Sequence, residues 1–203
     1  EAILSDLSSG RSSLTVLPTG TGKTIIFASV AREWAERTGG RVLILAHREE
    51  LIFQARDKVE SVTGVHPDIE MGEYRAGREG LFKDCPYVVS SIQTQNAGKR
   101  CSCRERTDDT VGGLITGCAH CVGGIVRRMQ NFDPKHFDLL IIDEAHHSPA
   151  ESYQRVIEYY RQNPNLRIMG VTATPDRTDE KALGRIFDSV SFTYDLPDAI
   201  EDG

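Results

Sequence analysis

The segment Pro18-Thr19-Gly20-Thr21-Gly22-Lys23-Thr24 constrains this chain more than any other. It follows an apolar run, Ser13 to Leu17. It precedes a segment whose apolar residues Ile25, Ile26, Ala28, Val30, Ala31 and Trp34 fall at helical spacing. Strand, glycine-rich turn and helix, in that order, are the setting a phosphate-binding loop requires. Gly20 and Gly22 let the backbone curl so that its amide hydrogens converge on an anion. The helix N-terminus adds positive potential. In such a loop Lys23 reaches the β- and γ-phosphates and the Thr24 hydroxyl ligates Mg²⁺. The pattern G-x-x-x-x-G-K-T departs at its first position, where Leu17 stands. A glycine-rich turn without a ligand is the plainer alternative.

The remaining apolar runs supply a sheet for this loop. Arg41 to Ala46, Tyr87 to Ser90, Leu139 to Asp143 and Arg167 to Val171 all read as strands apolar on both faces. Between them lie helical segments: Thr24 to Arg37, ended by Gly39-Gly40, and Glu49 to Val62. Ser148-Pro149-Ala150-Glu151 reads as a capping box launching a helix to about Tyr160, which Asn163-Pro164 ends. Two-sided apolar strands alternating with helices imply an α/β fold, a mainly parallel sheet with helices on both faces. The 203 residues make room for one such domain, spanning 1–203. With 39% hydrophobic and 27% charged residues, disorder as the dominant state is excluded. No apolar run approaches the ~20 residues of a membrane-spanning helix. The chain opens on Glu1 without a basic and then apolar leader, so no secretory signal is expected. Its net charge of -6 means that any nucleic acid must be met by a local basic face.

A second acidic site follows the strand Leu139 to Ile142. Asp143 and Glu144 emerge at its C-terminal end, where open α/β sheets bind ligands. Asp143 would hold Mg²⁺ through its water shell. Glu144 would orient and deprotonate an attacking water. A solvated acidic turn is the alternative, disfavoured beside a phosphate loop.

Taken together, these residues resemble the first RecA-like domain of superfamily 2 helicases and translocases. P-T-G-T-G-K-T (18–24) looks like motif I, L-A-H-R-E-E-L (45–51) like motif Ia, and V-S-S-I-Q-T (89–94) like motif Ib. D-E-A-H (143–146) is similar to motif II, the DEAH box, and T-A-T-P (172–175) to motif III. The D-E-A-H-H and T-A-T-P-D-R-T-D variants look like the group holding XPB-type repair translocases and type III restriction-enzyme motor subunits. The resemblance implies ATP and Mg²⁺ as cofactors, with Lys23, Asp143, Glu144 and His146 as catalytic residues. It implies that His146 senses the nucleotide and couples it to Thr172 and Thr174. It implies nucleic-acid contacts from His47, Arg48, Ser91, Gln93 and Thr94, with DNA favoured over RNA. It also implies a partner: a second RecA-like domain, which these 203 residues do not contain. The family's adenine-reading glutamine motif would precede Glu1. His147 is read either as a functional residue or as a side chain simply packed near a helix N-terminus.

One stretch breaks the rhythm. Residues 96–124 hold few core candidates and four cysteines, as an insertion would. Cys101-x-Cys103 and Cys118-x-x-Cys121 suit a tetrahedral Zn²⁺ site. Reduced free thiols or a redox pair are the alternatives, and Cys85 lies apart as a structural thiol. An intracellular setting, cytoplasmic or nuclear, disfavours disulfides.

The expected function is the ATP-binding motor domain of a DNA helicase or translocase. A non-motor P-loop ATPase, an RNA helicase domain and a non-catalytic docking module are the competing readings.

Overall fold

The computed structural model describes residues 1–18, 20, 22–77, 85–100, 125–173 and 180–193. Seven strands form one sheet: β1 (Ser13–Val16), β2 (Val42–Ala46), β3 (Asp68–Glu70), β4 (Tyr87–Ser91), β7 (Leu139–Asp143), β8 (Arg167–Thr172) and β9 (Ser189–Thr193). A separate two-stranded ribbon consists of β5 (Gly98–Arg100) and β6 (Ile125–Arg127). The helices are α1 (Ala2–Ser8), α2 (Lys23–Thr38), α3 (Glu49–Thr63), α4 (Ile92–Asn96), α5 (Glu151–Tyr160) and α6 (Glu180–Leu183). Spatial order in the sheet is β3-β4-β2-β7-β8-β1-β9, and every pairing in it is parallel.

The two-sided apolar strands follow from this layering. Side chains alternate across a strand. Val42, Ile44 and Ala46 of β2, with Leu139 and Ile141 of β7, face one core with Phe27 and Trp34 of α2 and Ile52 and Val59 of α3. Leu43 and Leu45, with Leu140 and Ile142, face a second core with Tyr153, Val156, Ile157 and Tyr160 of α5. Both cores are lined mainly by apolar side chains, so a polar group introduced there without a partner would be costly.

Four local expectations change. Ile25 was read as part of the buried stripe of α2, yet it is 49% exposed, and Phe27 takes the core position. At 100° per residue, Phe27, Ala28, Val30, Ala31 and Trp34 form one stripe and Ile25 lies off it. The Ser148 capping box does not form: α5 is preceded by Ala150, without a side-chain cap. A 3₁₀ turn over Ala145–His147 uses Ser148 first, its amide donating to the Ala145 carbonyl at 2.9 Å. Ser148 is consequently buried, with its hydroxyl lacking a partner among the described residues. Glu151 pairs with Arg155 instead of reaching back.

The third change concerns the insertion, which was read from residue 96. Its flanks form an antiparallel pair: Gly98 pairs with Arg127, Lys99 with Val126 and Arg100 with Ile125, while residues 101–124 lie outside the described residues. The ribbon is rooted in the domain. Arg128 donates through its amide to the Ala97 carbonyl at 2.7 Å, and its guanidinium binds the buried Glu70 carboxylate of β3. Fourth, β3, α4 and β9 are short elements that the pattern of apolar runs did not mark.

Candidate functional site

The C-terminal ends of the parallel strands gather on one edge of the sheet, and each sequence motif leaves the sheet there. After β1 the chain is held by the Leu17 amide, which donates to the Thr172 carbonyl of β8 at 2.9 Å. Gly20 and Gly22 both adopt left-handed backbone angles, φ +86° and +84°. A side chain at Gly20 would meet nothing within 4 Å, so glycine there serves the backbone angle and not the space. Lys23 opens α2 directly after this turn. Pro18, Gly20, Gly22, Lys23 and Thr24 are thus placed around a helix N-terminus; Thr19 and Thr21 lie outside the described residues.

Across from this loop, β7 delivers Asp143 and Glu144. Glu144 has φ +51°, the sole positive φ among described non-glycine residues. Such a conformation costs free energy and persists where the surroundings hold it. Here the Glu144 amide donates to Asp143 Oδ1 at 3.0 Å, and Glu144 Oε1 lies 3.2 Å from Lys23 Nζ. The left-handed turn therefore joins the DEAH segment to the phosphate loop through an ion pair that is largely shielded from solvent. Asp143 is buried, and burial, followed by the neighbouring Glu144 carboxylate, pushes its pKa up to about 6.

His146 completes the contact to β8. Its Nδ1 lies 3.0 Å from Thr172 Oγ1 and 3.4 Å from Glu144 Oε2. Gly170 makes this approach possible. A Cβ there would fall 2.4 Å from Phe187 Cζ and 2.8 Å from Ala145 Cβ, so a side chain would push the DEAH segment off β8. Gly170 was not singled out in the sequence, where a lone glycine in a strand signals only a close approach of some kind. Thr174 lies outside the described residues.

The nucleic-acid candidates divide into two kinds. His47 and Arg48, at the junction of β2 and α3, are exposed, as is Gln93. Gln93 Nε2 donates to the His47 carbonyl at 2.9 Å, so motifs Ia and Ib are fastened together. Ser91 and Thr94 are buried. Ser91 Oγ accepts the Thr94 amide at 3.0 Å and donates to Thr94 Oγ1 at 2.8 Å, capping α4. Their side chains are occupied in shaping the loop that carries Gln93. Between the two motif groups lies a cleft of about 390 Å³, lined by His47, Arg48, Glu50, Leu51, Glu144, His146 and His147. Its rim includes ring contacts of His147 with both His47 and His146. Partial desolvation, then the two neighbouring imidazoles, depress the His147 pKa.

No cluster of three or more His, Cys, Asp or Glu able to hold a metal occurs among the described residues. Cys101, Cys103, Cys118 and Cys121 lie outside them. Among the described residues no helix is long and apolar enough to cross a membrane.

A family model described as "Type III restriction enzyme, res subunit" matches residues 2–177. IRC3 of Saccharomyces cerevisiae is 29% identical over 92% of this chain, which spans 24% of that protein. The "ATP-dependent DNA helicase MPH1" of Coccidioides immitis is 26% identical over 89% of this chain, which spans 14% of it. Among solved structures, the Hef helicase domain of Pyrococcus furiosus superposes with a TM-score of 0.66 at 21% identity. That superposition covers 94% of this chain and 37% of the Hef helicase-domain chain.

Proposed function

Because the chain belongs to the type III restriction enzyme res-subunit family and forms the first RecA-like domain of a superfamily 2 helicase, we propose that it is the ATP-binding half of a DNA-translocating motor. The observation that carries this reading is the Lys23–Glu144 ion pair at 3.2 Å. It brings the phosphate-loop cation and the DEAH acid to one point, at the C-terminal edge of the sheet where ligands of open α/β folds bind.

The residues present fit Mg·ATP. Pro18, Thr19, Gly20, Thr21 and Gly22 supply the loop, Lys23 the cation, and Thr24 and Asp143 the metal's oxygen partners. Bound Mg²⁺ would neutralise charge developing on the phosphates. The chain's own groups do the rest. Lys23 exchanges Glu144 for a phosphate oxygen. The released Glu144 carboxylate then orients a water and accepts its proton. His146, between Glu144 and Thr172, registers that exchange and passes it toward Thr174. His47, Arg48 and Gln93 face the nucleic acid, with Ser91 and Thr94 holding the Gln93 loop in shape. Contacts of this kind fix position on a phosphate backbone and carry no sequence information. A second RecA-like domain would close over the nucleotide, in keeping with a chain that spans about a quarter of IRC3. DNA is favoured over RNA.

Lys23→Ala is expected to abolish Mg·ADP binding by the chain in isothermal titration calorimetry. Unchanged affinity would remove this placement. Greater stimulation of ATP turnover by RNA than by DNA would move the assignment to an RNA helicase domain.

The reading includes Zn²⁺ on Cys101, Cys103, Cys118 and Cys121 and an intracellular setting. The β5–β6 pairing supports the metal site, because it brings the two ends of the cysteine-bearing segment side by side. Metal analysis of protein purified under reducing conditions is expected to find one zinc per chain; none would leave four ordinary thiols.

A further inference from the structure

His147 has no part in the chemistry just described, yet it makes the most connected ring contacts of the site. Its imidazole lies 4.1 Å from that of His146 at an interplanar angle of 47°, and 5.1 Å from that of His47 at 34°. Both neighbours are themselves held. His146 is fixed by Glu144 and Thr172. His47 is fixed through its carbonyl and ring by Gln93 Nε2, at 2.9 and 3.4 Å. A continuous run of side chains therefore leads from Lys23 through Glu144, His146, His147 and His47 to Gln93. Its two ends lie on different motifs, and β7 and β2 between them are paired neighbours in the sheet.

A run of contacts transmits only if some member has two discrete arrangements. Lys23 supplies that condition. It can pair with Glu144 or with a phosphate, and its departure frees Glu144, one of the two groups that hold His146. His147 shares a single 3₁₀ turn with His146, so re-seating of one ring moves the other. We propose that His147 is a positioning residue that carries the state of the nucleotide site to His47 and Gln93 through ring contacts on both its sides. The proposal rests on the nucleotide-site assignment above. It requires a planar ring at position 147, not a hydrogen bond from it, because packing is what links the three imidazoles.

His147 is exposed, so its substitution should leave the fold intact. The test uses the 203-residue chain and its His147→Ala and His147→Phe variants, with Mg·ADP as the probe. Histidine-ring carbon–proton resonances report on His47, and calorimetry reports nucleotide affinity. In the parent chain, saturation with Mg·ADP is expected to shift the His47 ring signals. In His147→Ala the shift should fall to under about a third while affinity stays within about twofold, and in His147→Phe it should return. A full His47 response in His147→Ala overturns the proposal. Loss of Mg·ADP affinity in both variants assigns His147 a merely structural role and overturns it too. A parent chain that binds no Mg·ADP overturns the nucleotide-site assignment itself, and the proposal with it.

Discussion

At the scale of single residues, the site is a set of conformations and charges that folding alone does not favour. Asp143 is the clearest case. Burial and Glu144 raise its pKa to about 6, above the 3.8 of an exposed aspartate. Between those values the native chain binds more protons than the unfolded one, so stability falls as pH rises through the window. Above it a full ionisation penalty remains, on the order of 2–3 kcal/mol. In metal-free buffer, Asp143→Asn is therefore expected to raise the unfolding free energy by about that amount at pH 8. The gain should shrink toward zero as pH falls below 4. A denaturation series across pH checks this, and a gain independent of pH would place the cause elsewhere. That Lys23, Asp143 and Glu144 belong at one end of the sheet was legible in the sequence, because phosphate loops and acidic strand ends demand fixed residue types. What stayed hidden was partnership. Ser91 and Thr94 read as nucleic-acid contacts, but their hydroxyls satisfy each other and the α4 amide, which spacing alone cannot reveal. Gly170 and His147 owe their importance to contacts across strands and motifs distant in the chain.

At the scale of elements, long two-sided apolar strands were plain from composition, whereas elements of three to five residues were not. The short strand β3 has only Ile69 in the apolar core, and its place in the sheet is fixed by pairing with β4. Its other buried residue, Glu70, is 2% exposed and held by Arg128. Breaking such a pair by deleting one member strands a buried charge, at a cost of about 3–5 kcal/mol. Arg128→Ala is expected to destabilise the domain by that order in urea unfolding. Replacing both partners with methionine should cost much less, since no unpaired charge is left behind. Equal losses in the single and double variants would show that packing, and not the charge, carries the effect. The Arg128 guanidinium also binds the Gly72 and Tyr74 carbonyls, so one side chain ties the ribbon root to the β3 edge.

At the scale of the whole molecule, the sheet, its two cores and the motif-bearing edge form one unit, and the β5–β6 ribbon is attached at its flank. Arg100 and Ile125 face each other across the antiparallel pair, so the described residues that flank positions 101–124 lie side by side. Neighbouring Cα atoms in such a pair are about 4.5–5.5 Å apart, a gap that a two-residue Asn-Gly turn spans. Replacing residues 101–124 with Asn-Gly is thus expected to leave the melting temperature within a few degrees and Mg·ADP affinity unchanged. Thermal unfolding and calorimetry would show it, and collapse of either would mean the excised segment supports the sheet. The same geometry makes the flank a natural docking bay for foreign modules. A reporter or recognition domain whose own termini lie side by side could be grafted there, and the seven-stranded sheet would carry it as passive cargo. A lineage could likewise exchange one accessory for another at this point without disturbing the sheet that bears it.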